Sequence, residues 1–433
     1  MSLFTPAMLF NSYEYLLWFL PGTLVVFFLL GRRPLAAQAW LTLASLFFYG
    51  WWNPWHLPLI AGSIVFNFAV AAALRRGAGG GVLALGVAAN LALLGVFKYA
   101  DFFLANAARV TGDAPQLLHL ALPLGISFFT FTQIAYLVDV RRGKAQEPVF
   151  VNYALFVTFF PHLLAGPILH HSEMMPQFAL VTNKRPQWDN LAAGLFLLAL
   201  GLAKKVLVAD TFAPIADAGF AAPGTLAAPA AWAAVLAYTM QIYFDFSGYT
   251  DMALGAARMF NIRMPINFDS PYRATDIREF WHRWHITLSR FLREYLYIPL
   301  GGNRHGDART AANVLATFLL GGLWHGAAWT FVVWGLLHGV AMVACRAWAR
   351  IGVPLPRALA WALTFLFVAV SWVFFRATSL EGALAMLNAM AGGNAAPAQG
   401  ALAWLGEVAE RLGQTLAVPP AWALVPPLVG LLV

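Results

Sequence analysis

Apolar positions along this chain come in long blocks, without a period of two and without a narrow helical stripe. Short basic or aromatic clusters punctuate them. Blocks at 14–30, 36–49, 57–74, 82–97 and 117–138 are separated by Gly31-Arg32-Arg33-Pro34, Trp51-Trp52-Asn53-Pro54-Trp55, Arg75-Arg76 and Lys98, and end at Arg141-Arg142-Gly143-Lys144. A helix of about 20 apolar residues crosses a hydrocarbon core of about 30 Å. In lipid only helices and closed barrels satisfy their own backbone. The missing alternation excludes a barrel, so each block predicts a spanning helix. Further blocks follow at 191–208, 231–259, 312–324, 328–348 and 358–375, and a last one runs from about Leu416 to Val433.

One apolar stretch is broken. Residues 150–169 are interrupted by Pro161-His162 and Gly166-Pro167. Such breaks at membrane depth persist only where protein buries them or water lines them, so a re-entrant or discontinuous segment is expected. The basic clusters at 32–33, 75–76 and 141–144 fall on every second loop. Positive charge marks the cytoplasmic side, which places the amino terminus outside, with Lys98 and Arg109 on the outer side. The loop 210–230 has no basic residue and is expected outside.

Composition supports this class. The 433 residues are 61% hydrophobic and 11% charged, against about 25% charged in soluble domains. The net charge of +8 fits positive-inside loops and anionic lipid headgroups, not nucleic acid. A single cysteine, Cys345, allows no internal disulfide and no paired-cysteine metal site. The first block lacks a basic leader and a small-residue cleavage site, so it is expected to be retained as a span. The chain reads as one membrane domain, 1–433, all-α and polytopic.

The densest charge lies at 276–298, too polar to span. Arg278, Arg283, Arg290 and Arg293 alternate with Phe280, Trp281, Trp284, Phe291, Tyr295 and Tyr297. Two readings are open. The segment lies in the interface as an anchor helix with Glu279–Arg283 and Arg290–Glu294 pairs. Otherwise it packs into the bundle and lines a cytoplasm-facing cavity whose arginines hold an anionic donor. His282 and His285 share a helical face with Ser289 one turn on, but no third ligand is near in sequence, so no metal site is expected.

His325 lies between Trp324 and Gly326 inside apolar sequence. Ionisable groups at membrane depth are costly and point to function, and a neutral imidazole suits general-base work. The competing reading is a packing histidine bonded to a neighbouring helix. His338 reads as structural, and Trp334–Gly339 as tight helix packing. Asp245 and Asp251 are expected to hold the basic segment down or to line a polar channel. The phosphate-binding, nucleophile-elbow and dinucleotide motifs are absent.

Several stretches, in order, resemble one family. They are LPLGISFFTFTQIAYLVDVRRG from Leu122, FFPHLLAGPI at 159–168, QIYFDFSGYTDMALG at 241–255, the segment 278–306, and GLWHGAAWTFVVWG at 322–335. Together they resemble the membrane-bound O-acyltransferase superfamily. The likeness is greatest to its bacterial branch that acetylates exported polysaccharides such as alginate. Relatives transfer D-alanine to teichoic acid or acetylate peptidoglycan. The resemblance implies about ten or more spanning and re-entrant helices ringing a thin core, with a funnel from each side. It also implies that His325 is the family's invariant histidine and His285 its second signature histidine. Chains of this kind begin near the equivalent of Met8 and continue past the equivalent of Val433.

The reading that follows is a multi-pass acyltransferase of the bacterial inner membrane. Acetyl-CoA or another acyl thioester would serve as donor substrate, with no bound cofactor or metal. Periplasmic acetyltransferase partners and an exported polysaccharide would receive the acyl group. His325 and His285 are the expected catalytic pair. Arg278, Trp281, Arg283, Trp284, Ser289, Arg290, Arg293 and Trp324 are the expected donor-binding set. The competing classes are a transporter without chemistry, using the broken segment as its discontinuous helix, and a scaffold that only recruits a partner.

Overall fold

Long helices account for most of the described chain, since a helix satisfies its own backbone in apolar surroundings. The computed structural model describes residues 8–163, 166–394 and 406, and is helical with no strand among them. The expected block from Leu416 lies outside the described residues. Among the described residues, six helical stretches are long and apolar enough to cross a membrane: α1 (Glu14–Arg32), α3 (Pro54–Arg75), α4 (Gly80–Thr111), α9 (Trp188–Ala221), α14 (Trp329–Ile351) and α15 (Arg357–Arg376). Three more helices have comparable length but carry more polar residues: α2 (Pro34–Trp52), α10 (Ala228–Met259) and α13 (Gly306–His325). The remaining helices are α5 (Ile126–Arg141), α6 (Phe150–Thr158), α7 (Phe160–Leu163), α8 (His171–Ala179), α11 (Ile277–Arg283), α12 (Ile286–Leu292) and α16 (Leu380–Met390).

Two blocks run further than expected. The fourth passes through Lys98 and continues to Thr111, and the one read at 191–208 continues to Ala221, inside the expected outer loop. In each case the helix crosses its basic residues on a π-helical turn, Gly95–Tyr99 in α4 and Lys204–Ala209 in α9. A π turn inserts one extra residue and re-aims the side chains around it. The charges therefore belong to the bundle, not to loops.

The broken segment is broken as expected. Helix α6 ends at Thr158, α7 covers only Phe160–Leu163, and α8 resumes at His171. Its residues are nearly all buried, including Phe159, Phe160 and His162. Protein therefore covers the interrupted backbone. Phe160 N–H is met by Ser45 Oγ at 3.1 Å and Ile168 N–H by Thr287 Oγ1 at 2.9 Å.

Glycines set the closest helix contacts. Gly194 and Gly201 of α9 face Gly255 and Gly248 of α10, and a Cβ on Gly201 would lie 2.4 Å from the Gly248 carbonyl oxygen. A Cβ on Gly335 of α14 would lie 2.3 Å from the Phe318 carbonyl of α13, with Gly322 opposite. Small residues let membrane helices approach backbone to backbone, as expected for 334–339. Two large apolar cores result, one from residues between Met8 and Met264 and one from residues between Ala216 and Met390, beside a small third cluster of Ile168, Leu288 and Trp324.

The segment 276–298 is not a continuous interfacial helix. It breaks at Trp284-His285, where His285 adopts φ 45°, and Phe280, Trp281, Trp284 and His285 are all buried. It packs into the bundle. Asp276 caps α11 by accepting from the Arg278 and Glu279 N–H groups. Glu279 pairs with Arg283 at 3.0 Å as expected. The Thr275 N–H and its hydroxyl, with Arg283, hold the Glu279 carboxyl below its ordinary range. The expected Arg290–Glu294 pair is replaced: Arg290 forms a two-pronged ion pair with Glu173 of α8, at 2.5 and 3.0 Å. The arginine thereby ties the basic segment to the re-entrant one.

Candidate active site

The break at Trp284-His285 turns the histidine inward. His285 Nδ1 donates to Asn267 Oδ1 at 3.1 Å, an oxygen that also accepts from Thr287 N–H and Thr287 Oγ1 at 3.2 and 3.0 Å. The donation from the Thr287 N–H identifies that atom as the amide oxygen, so Nδ1 carries the proton and Nε2 keeps its lone pair. Phe246 packs edge-on against the ring, with centroids 4.9 Å apart. The imidazole has one orientation and one basic nitrogen.

His325 ends α13. Gly326 follows in extended backbone, and a Cβ there would strike the Phe331 ring at 2.1 Å. The imidazole stands edge-on to Trp324, Trp334 and Phe375 at centroid distances of 4.9, 5.1 and 5.1 Å. No hydrogen bond to His325 forms among the described residues, and the side chain is only half-buried. The His285 and His325 ring centroids lie 6.5 Å apart. Both face one cavity of about 300 Å³, lined also by Lys98, Asp245, Trp284, Trp324 and Trp372. A larger groove of about 490 Å³ between α1 and α2 is lined by residues such as Trp18, Val26 and Phe47 and has no titratable wall.

The His325 end of α13 is gripped from α4. The π turn at Gly95–Tyr99 aims Lys98 and Tyr99 at the helix's last carbonyls. Tyr99 OH donates to the Leu323 carbonyl at 2.8 Å, and Lys98 Nζ donates to the Trp324 carbonyl and to Ser127 Oγ at 3.1 Å. A helix ends with unsatisfied carbonyls, and a cation near them is favourable. Farther along α4, Asn106 accepts from Trp329 Nε1 at 2.8 Å, so α4 holds both sides of the α13–α14 joint. Below, Trp324 stacks on Phe131, and Phe131 on Phe291, at 5.7 and 4.6 Å.

Of the expected site residues, His325, His285, Trp284 and Trp324 meet at this cavity. The others do not line it. Trp281 is buried beside it, donating to His338 Nδ1 at 3.2 Å, while His338 Nε2 lies 3.0 Å from Ser371 Oγ. His338 is a packing histidine, as expected. Ser289 Oγ is buried without a hydrogen-bond partner among the described residues. Arg278 and Arg293 are exposed, and Arg283 bridges Glu279 and Asp269 at the surface. His282 is exposed while His285 is buried, so that pair shares no face. Asp245 and Asp251 do not pair with the arginines. Lys205 and Lys204 of the second π turn hold them, each at 2.6 Å. Lys98, Tyr99 and Asn267 were missed in the sequence reading. A lysine inside an apolar run was the available signal.

The fold and the site define a multi-pass helical membrane protein with two histidines facing one cavity. The chain belongs to the membrane-bound O-acyltransferase family, which its residues 111–381 match. It is therefore an acyltransferase. It is 48% identical over 423 residues to the peptidoglycan O-acetyltransferase of Helicobacter pylori, covering 89% of this chain and 80% of that one. It is 43% identical over 394 residues to the probable alginate O-acetylase AlgI of Pseudomonas aeruginosa, covering 88% and 75%. A teichoic acid D-alanyltransferase of Streptococcus thermophilus is 28% identical over 239 residues, covering 52% and 57%.

Proposed function

We propose that the protein O-acetylates an exported polysaccharide from the inner membrane of a bacterium, taking the acetyl group from a cytoplasmic thioester such as acetyl-CoA. The observation that carries this reading is the pair of imidazoles, His285 and His325, facing one cavity with ring centroids 6.5 Å apart. His325 takes the proton of an acceptor hydroxyl as its oxygen attacks the thioester carbonyl carbon. The carbon–sulfur bond breaks, and the leaving thiolate collects the proton. His285, its Nδ1 committed to Asn267, offers Nε2 to orient or relay. The acceptor hydroxyl belongs to the polymer or to a periplasmic acetyltransferase partner that passes the group on. Acetyl is favoured over D-alanyl because the O-acetyl relatives match along most of the chain and the D-alanyl relative along about half.

A second reading of the acceptor rests on one observation. The 48% identity to a peptidoglycan O-acetyltransferase exceeds the 43% to the alginate protein, which favours peptidoglycan. Deleting the gene and measuring O-acetyl groups on secreted polysaccharide and on muropeptides separates the two. The donor is tested with labelled acetyl-CoA and purified protein, partners present, beside His325→Ala. His325-dependent transfer or hydrolysis supports the reading. Intact acetylation with lost polymer export in that variant sinks it and favours transport.

A further inference from the structure

A second group of titratable side chains lies away from the cavity, at the end of α5 that carries Arg141 and Arg142. By charge this is the cytoplasmic end. Asp139 Oδ2 lies 3.0 Å from His170 Nε2, 3.1 Å from His171 Nε2 and 2.6 Å from Tyr295 OH. His170 Nε2 is also 3.0 Å from Tyr295 OH. The ligating atoms of Asp139, His170 and His171 lie within 4.8 Å of one another. The Asp139 and His171 side chains are 3% and 6% exposed, and His170 is 21% exposed. None of the four lines the catalytic cavity.

Hydrogen bonding alone accounts poorly for this arrangement. Three donors crowd one carboxylate oxygen, which has two lone pairs, while among the described residues Oδ1 has only a 3.7 Å contact with Arg142. The 3.0 and 3.1 Å separations of the two imidazole nitrogens from Asp139 Oδ2 are near those of a coordination shell, while Tyr295 OH lies closer, at 2.6 Å. Ligands about 2.0–2.2 Å from a tetrahedral ion stand about 3.3 Å from each other. The outer contacts fit as well. Ser172 Oγ, 2.6 Å from His170 Nδ1, can accept that nitrogen's proton and free Nε2 for a metal. The Ser172 N–H also approaches Nδ1, at a longer 3.3 Å, and that contact is lost in this tautomer.

We propose that Asp139, His170 and His171, with Tyr295 as a fourth oxygen donor, bind one divalent transition ion of the Zn²⁺ class. Two imidazoles and a carboxylate are a common zinc donor set. The ligands come from α5, from the chain entering α8, and from the π turn Arg293–Tyr297. The ion fastens the re-entrant segment to the basic segment, next to the Arg290–Glu173 pair. Its role is structural. Tyr295's ring neighbour, Phe291, is four residues earlier at 5.0 Å and supports Phe131 beneath Trp324 only through packing.

The test uses full-length protein purified in detergent through a histidine-free tag and dialysed against Zn²⁺, then freed of excess. Elemental analysis is expected to find about one equivalent per chain. Co²⁺ replacing Zn²⁺ is expected to give the strong visible absorption of a tetrahedral site. Asp139→Asn and His171→Gln should each lose at least tenfold in affinity, while His282→Ala, at the exposed histidine, should not. Monodisperse wild-type protein that holds less than about a tenth of an equivalent and gives no cobalt band overturns the proposal. Equal occupancy in wild type and both variants overturns it too. The wild-type readings stand even if a variant fails to fold.

Discussion

Two pairs of histidines occupy this bundle, and their partners differ. His170 and His171 both meet Asp139, and His170 also meets Tyr295. His285 and His325 face a cavity walled by indoles, with only one ring nitrogen between them engaged by a side chain among the described residues. An imidazole saturated by fixed partners fastens elements together. An imidazole held by packing, with a lone pair left over beside empty space, can take a proton from something that enters. The two proposals make partners, not residue type or burial, what separates an anchor from a reactive group.

The largest effect expected is at His325. His325→Ala should lower acyl transfer by about a thousandfold while the protein inserts and folds normally. His171→Ala should do the reverse, lowering thermal stability while turnover per folded molecule stays measurable. Activity lost at His171 and kept at His325 would reverse the two assignments. Next comes His285→Ala, with a loss of about 10- to 100-fold, seen in turnover assays at saturating donor. An unaffected rate would leave His325 working alone.

Lys98 sharpens the comparison from the side of positioning. Lys98→Met should cost about tenfold in kcat with donor KM little changed, because the carbonyls before His325 lose their grip. Lys98→Arg should restore part of it. A loss confined to KM would instead make Lys98 a donor-binding group. Gly335→Ala is expected to destabilise by about 1–3 kcal/mol through its collision with the Phe318 carbonyl, read as a lower melting temperature. Smallest of all, Arg278→Ala should change activity less than about twofold, since its pairing with Asp276 at 3.6 Å is exposed.

Much of this was legible in the residues. The apolar blocks, the break at 150–169 and the close packing near Gly335 follow from local composition. His325 stood out because an ionisable group in apolar sequence has few structural uses. The pairing of charges was not legible. Arg290 had Glu294 one turn away and chose Glu173, 117 residues distant. Asp245 met Lys205, and Lys98 looked like the end of a span. His170 and His171 drew no attention, because the carboxylate that gathers them is 31 residues earlier.

Lipid compatibility is a property of short stretches, so the chain's own order of apolar and basic residues determined the class, the helices and the most costly histidine. Where a side chain finds its partner is not local. Two π turns rotate Lys98 and Lys205 onto neighbouring helices, and one left-handed residue, His285 at φ 45°, turns a surface segment into a cavity wall. Those rotations depend on what packs around them, and only the assembled bundle supplies it.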